Sequence, residues 1–167
     1  MESFQLLILL AKSSYVMTIQ KFPLAWRWTD ARYAMFPPEV LDQLRPCSPD
    51  DASRLFERAV ALSRPDDPTS RRTSAEAPKE QLSDWLQAQQ PSLSEEVVVS
   101  WSADTALRTL WGTFIKRWDD FCYPSSDDVT VLPQNGSWIL MYHHWHEFEF
   151  RHRTAANKTN ERTGTPL

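Results

Sequence analysis

All four histidines of this chain and two pairs of acids crowd into residues 118–153, W-D-D-F-C-Y-P-S-S-D-D-V-T-V-L-P-Q-N-G-S-W-I-L-M-Y-H-H-W-H-E-F-E-F-R-H-R. Imidazole and carboxylate together are the usual ligands of zinc, iron or nickel. His144, His146 and Glu149 are therefore one candidate metal set. Neighbouring residues on a strand face opposite sides, and His143, His144 and His146 straddle a turn, so only some of them can converge. The plainer reading is histidines that face solvent or pack within a hairpin. Asp119-Asp120 and Asp127-Asp128 form the second candidate. Two acid pairs around a loop suit a hard cation such as Mg²⁺ or Ca²⁺, or a general acid and base if burial separates their pKa values. Structurally, the first pair reads as a helix end, and Ser125-Ser126-Asp127-Asp128 as a turn capped by its own side chains.

Cys122 has the chemistry of a nucleophile if a histidine activates it; between Phe121 and Tyr123 it reads better as a small buried side chain. No G-x-S-x-G elbow and no H-E-x-x-H helix is present. With three glycines in 167 residues, phosphate-cradling loops are absent too. No catalytic residue and no cofactor is assigned from the sequence. Of the aromatics, Trp138 and Trp145 are expected to be partly exposed, one at a strand start and the other on a turn.

These residues need elements to position them. Residues 95–101, E-E-V-V-V-S-W, read as a central strand, because three consecutive valines call for burial on both faces. Residues 103–118 read as a helix capped by Ser102. Its Leu107, Leu110, Trp111, Phe114, Ile115 and Trp118 recur at three and four residues, which sets Trp111 and Phe114 against Val97 or Val99. Then the period changes to two. Strands at 129–132, 138–143 and 147–153 form an antiparallel meander, with Asn135-Gly136 in the first turn. Phe148 and Phe150 point to the core, while Glu147, Glu149 and Arg151 point to a wet face. The fold class is α+β: an antiparallel sheet of about four strands (95–101 plus the meander 128–153), packed by several helices on one face.

Earlier in the chain, 21–28 reads as a short strand or extended arm. Pro37-Pro38 opens a helix. Ser48-Pro49-Asp50-Asp51 starts another, with a serine cap, proline at the first position and acids in the first turn. Residues 80–90 form a third helix, stopped by Pro91. Residues 64–79, with Pro65, Pro68 and Pro78 and almost no large apolar side chain, are expected to be a flexible loop with an exposed basic spot at Arg71-Arg72.

The length suits one domain, assigned to 17–153. Residues 1–16 carry an apolar run, too short to span a membrane and without the basic start of a signal peptide. They read as an extension from an upstream start codon, the alternative being a short helix that docks its leucines on the domain. The polar tail 154–167 is expected to be disordered. A net charge of −4 disfavours nucleic acid as a partner and admits a basic protein. Two distant cysteines suit reduced thiols in the cytoplasm.

The stretch W-D-D-F-C-Y-P-S-S-D-D-V-T-V, followed by W-I-L-M-Y-H-H-W-H-E-F-E-F, resembles small bacterial proteins that carry an F-C-Y-P-S-S-D-D segment before a final hairpin. The resemblance covers the last third of the chain and brings no activity with it. The pair His144-x-His146 followed by Glu149 is similar to a cupin ligand set, but one residue short in spacing, without the flanking glycines and without a later histidine. In general plan the chain is similar to bacterial toxin-immunity proteins, a likeness of shape and not of motif. The reading that follows is a cytoplasmic, non-enzymatic protein-binding domain, with Asp119, Asp120, Asp127, Asp128, Trp145 and Glu147 as its contact surface for a basic partner. The alternative is a small metal-dependent enzyme built on Asp119, Asp127, Asp128, His144 and His146.

Overall fold

The three valines of residues 97–99 are all buried, and they sit in an interior strand of the sheet. The computed structural model describes residues 17–64 and 66–153. The expected extension 1–16 and tail 154–167 lie outside them. The strands are β1 Arg45–Pro46, β2 Arg71–Ser74, β3 Glu96–Ser102, β4 Thr105–Leu110, β5 Val129–Pro133, β6 Trp138–His143 and β7 Glu147–His152. They form one antiparallel sheet in the order β1-β4-β3-β5-β6-β7-β2. The helices are α1 Trp26–Thr29, α2 Pro38–Leu41, α3 Pro49–Leu62, α4 Lys79–Gln89, α5 Trp111–Lys116 and α6 Trp118–Phe121. The class is α+β, as expected, with seven strands in place of about four.

Alternation along β3 divides the core in two. Val97 and Val99 join Trp111, Phe114, Leu140, Tyr142, Phe148 and Phe150 in the larger cluster. Val98 turns the other way and joins Ala106 and Leu132 under Ala52, Leu55 and Ala59 of α3. Helix α3 starts as its sequence dictates: Pro49 takes the first turn, and the Asp51 amide donates to Ser48 Oγ at 3.2 Å. Helices therefore cover both faces of the sheet, not one.

The face of β6 and β7 expected to be wet is covered as well. Arg151 is buried and donates to the carbonyls of Leu62 and Arg64, both at 2.7 Å. Ser70 Oγ donates to the Glu149 carboxylate at 2.7 Å. The chain leaving α3 thus lies across this face and supplies the polar partners that its charges need.

Four further expectations change. Residues 103–118 are a turn, strand β4, helix α5 and the first residue of α6, not one helix. Ser102 Oγ and Thr105 Oγ1 both donate to the Asp104 carboxylate, so the residues read as a helix cap close the β3–β4 hairpin instead. Leu107 is buried between β3 and β1, whereas Leu110 is exposed; the three-and-four spacing across them matched a helix by coincidence. Within 64–79 lies strand β2, on which Arg71 to Ser74 pair with Phe150 to Glu147 of β7. Residues 21–28 run from the end of a 3-10 turn, Ile19–Lys21, through a further turn into the short helix α1, in place of a strand or extended arm. Trp138 is only 1% exposed: its ring lies 4.9 Å from Trp111 and 5.5 Å from Phe150, and its indole N–H donates to Glu95. A strand start is no guarantee of exposure when a helix lies across it.

Candidate functional site

Two connections converge at one end of the sheet: the 122–128 loop that leads into β5 and the 143–147 turn between β6 and β7. Each has a physical anchor. Helix α6 ends at Phe121, where carbonyls lack helical partners. Here side-chain donors supply them. Trp28 Nε1 donates to the Asp120 carbonyl, and Trp101 Nε1 to that of Phe121, both at 3.0 Å. Arg27 Nη1 also donates to the Phe121 carbonyl, at 3.3 Å.

The same guanidinium holds the loop. Arg27 is buried and meets Asp127 in a two-pronged pair at 2.5 and 3.0 Å. The Tyr123 amide donates to the same carboxylate at 2.9 Å, and the Tyr123 ring lies 4.1 Å from the guanidinium carbon. Burying two charges costs several kcal/mol, and the two-pronged pair with its added bonds to the Phe121 carbonyl and the Tyr123 amide offsets much of that, although Arg27 Nε is buried without a hydrogen-bond partner. Asp127 is therefore an internal anchor and not a contact for a partner.

Asp128 points outward. It accepts the His144 amide at 3.0 Å and faces His144 Nδ1 at 3.0 and 3.2 Å. Burial raises its pKa, but the His144 amide and imidazole outweigh that and hold it below the usual aspartate range. The Ser125 amide donates to the His144 carbonyl at 2.9 Å, which ties loop to turn a second time. The turn closes on itself through the His146 amide and the His143 carbonyl at 2.8 Å. Both Ser125 and His146 have positive φ, 67° and 69°, an uncommon conformation for side-chain-bearing residues.

Of the remaining acids, Asp119, Glu147 and Glu149 have cationic partners. Asp119 pairs with Lys79 at 2.6 Å. Burial and the neighbouring Asp119 charge push the Asp120 carboxyl up. Glu147 faces Arg72 at 3.6 Å. Glu149 is 3% exposed and receives Arg72 at 3.1 Å, Ser70 at 2.7 Å and His143 Nε2 at 3.2 Å. Its burial raises the pKa, but those three partners outweigh it and leave the carboxyl lower than usual.

The metal alternative finds no geometry. His144 faces Asp128, the His146 ring stands edge-on to Tyr142 at 5.9 Å, and Glu149 faces Arg72 and His143. Among the described residues, no group of three His, Cys, Asp or Glu is arranged to hold a metal ion. Cys122 is buried, and burial followed by the Asp127 charge pushes its thiol well up, away from the thiolate that a nucleophile needs.

Beside the exposed Ser125, Ser126, Asp128 and His144, this end of the sheet also exposes aromatic rings. Trp145, at the tip of the turn, is 58% exposed, as expected of it. The His143 imidazole lies flat against its indole, with centroids 4.3 Å apart and planes 3° apart, and His144 stands edge-on at 5.0 Å. Across the loop, Trp26 and Tyr33 form an edge-to-face pair at 4.5 Å, and Trp26 touches Tyr123 at 6.0 Å. Both are exposed, as is Met35 beside them. The sequence reading missed Arg27, Trp26 and Tyr33, and named Arg72 only as part of an exposed basic spot. Arg27 carried one signal, a single cation inside the aromatic run W-R-W that must find a buried partner.

Compared with family models, curated proteins and solved structures, the chain matches none. No helix among the described residues is long and apolar enough to cross a membrane.

Proposed function

We propose that the chain is a non-enzymatic protein-binding domain of the cytoplasm, of immunity or inhibitor type, and that it meets its partner at the end of the sheet carrying the 122–128 loop and the 143–147 turn. The observation that supports this most is Trp145. A large aromatic ring stands in solvent on a turn whose backbone is bonded to the loop and to itself. Such a ring buries much area on docking and loses little freedom, which is why tryptophan and tyrosine dominate binding energy at interfaces. Trp26, Tyr33 and Met35 extend the apolar surface past Tyr123.

The acids take a secondary part. Asp119 and Glu147 each already share their charge with a cation, and Asp128 faces the His144 imidazole. They serve as a rim that steers a basic partner, altering the on-rate more than the affinity. The test is a pull-down from extract of the source cells, with wild-type and Trp145→Ala protein as baits, at low and at raised salt. Both baits should have the same circular dichroism and melting point. A partner retained by wild type, lost with Trp145→Ala and weakened by salt is the expected result. Equal capture by both baits would overturn the assignment.

A further inference from the structure

The two edges of the sheet differ in what they offer to solvent. Along an antiparallel ladder, residues alternate between turning their backbone N–H and C=O toward the neighbouring strand and turning them away. At the β1 edge the Cys47 amide donates to the Ala106 carbonyl at 2.9 Å, so Pro46, one residue earlier in the same register, turns its backbone outward. Proline has no N–H to offer, and that edge is blunted.

Strand β2 forms the other edge, with β7 as its neighbour. The Ala75 amide donates to the His146 carbonyl at 2.9 Å in register with the ladder, so Thr73 and Arg71 also turn their backbone groups toward β7. On the far side of β7 the Arg153 amide donates to the Ser137 carbonyl at 2.8 Å, which requires the same alternation. Arg72 and Ser74 therefore turn their N–H and C=O groups away from the sheet. Both residues are exposed, and among the described residues no backbone group bonds to theirs on that side. The strand has no proline and its ladder no bulge. Its outward donors and acceptors thus stand at the spacing that a further strand matches.

Charge narrows the occupant. Arg72 is shared between Glu147 and Glu149. Arg71 is exposed and donates to the Gln89 side-chain carbonyl at 3.2 Å; among the described residues it has no carboxylate partner. A strand added outside β2 meets Arg71 in a non-hydrogen-bonded pair, with Cα atoms about 4.5 Å apart, where an opposite charge is favourable. A second copy of β2 would bring two more arginines to the edge, which opposes self-pairing.

We propose that the β2 edge accepts an extended segment of another protein as a further antiparallel strand, with an acidic side chain opposite Arg71. This surface is separate from the aromatic one around Trp145. Its occupant is recognised through backbone hydrogen bonds and one charge pair.

The test uses the whole chain at low concentration and two blocked heptapeptides of alternating threonine and valine, one with a central glutamate and one with a central lysine. Amide shifts and amide exchange are read by nuclear magnetic resonance. In the free chain the Arg72 and Ser74 amides should exchange fast and the Thr73 amide slowly. The glutamate peptide should shift the Arg72 and Ser74 resonances with a dissociation constant of about 1–10 mM, the scale that a few net backbone hydrogen bonds support. At saturation it should slow their exchange. The lysine peptide should bind about threefold more weakly or worse, and Arg71→Gln should remove that difference. Ser74→Pro deletes an outward N–H and no bond to β7; with circular dichroism as in wild type, it should weaken the glutamate peptide about tenfold or more. Slow exchange of Arg72 and Ser74 in the free chain would overturn the proposal, because the edge would already be covered by another part of this chain or by a second copy. So would no shift with the glutamate peptide, equal binding of both peptides, or unchanged binding by folded Ser74→Pro. Should Ser74→Pro not fold, the exchange pattern and the Arg71→Gln comparison decide without it. None of these outcomes bears on the Trp145 surface, which the pull-down tests by itself.

Discussion

Asp127 and Asp128 are adjacent in sequence and opposite in role. One is buried against Arg27, and the other faces solvent against His144. Removing one member of a buried pair leaves the other charge without compensation, so Asp127→Asn or Arg27→Met should destabilise by roughly 3–5 kcal/mol. Replacing both by apolar residues should recover most of that loss. Chemical denaturation of the two single variants and the double variant checks both statements; additive losses would mean that the pair does not act as a unit. Glu149 gives a pH prediction. Its folded pKa lies below the ordinary glutamate value of about 4.3. A group with a lowered folded pKa contributes stability in full above its unfolded value, and that contribution fades as pH falls through the folded value. Glu149→Gln should therefore be less stable than wild type at neutral pH and should lose less on acidification below about pH 4. Parallel acid-unfolding curves for the two proteins would show that the carboxylate is not responsible. The acids were legible as candidates in the sequence. Their partners were not, because Arg27 lies 100 residues from Asp127 and Ser70 lies 79 from Glu149. No local pattern encodes such pairs.

Among the elements, β3, the meander and α3 were legible because each carries its own local signal: a valine run, an Asn-Gly turn, a Ser-Pro cap. Strand β4 was not. Its Leu107 and Leu110 fit a helical spacing with Trp111, and only pairing with β3 shows that the first is buried and the second exposed. Strand β2 exists through its ladder with β7, and R-R-T-S has no apolar alternation of its own. The turns give a sharper test than the strands. Gly136 has φ of 61°, and a Cβ there would stand 2.9 Å from the Arg58 guanidinium. Gly136→Ala should cost about 1–2 kcal/mol from the backbone alone. His146 adopts the same conformation with a side chain, so His146→Gly should be neutral or stabilising by up to about 1 kcal/mol. Melting points of the two variants should move in opposite directions or only the first should move; a large loss in His146→Gly would mean that its ring against Tyr142 holds the turn. In the core, Trp111 is fully buried beside Phe114 and Trp138. Trp111→Ala should cost about 3–5 kcal/mol, seen as a lowered denaturation midpoint.

For the molecule as a whole, a doubly covered sheet leaves one end where two connections are tied to each other and present aromatic rings to solvent. The two connections are tied there by backbone hydrogen bonds, and Trp145 lies outside both core clusters. Trp145→Ala should therefore change stability by less than about 0.5 kcal/mol, as a surface substitution does, while it removes the central contact of the binding surface. That separation of fold from binding is the core of the account. It is tested most directly by hydrogen–deuterium exchange of the chain, alone and with its captured partner. The account predicts new protection in residues 122–128 and 143–147, with the rest of the sheet unchanged. Protection confined to α4 or to the β1 edge, with that end of the sheet exchanging as it does in the free chain, would contradict it.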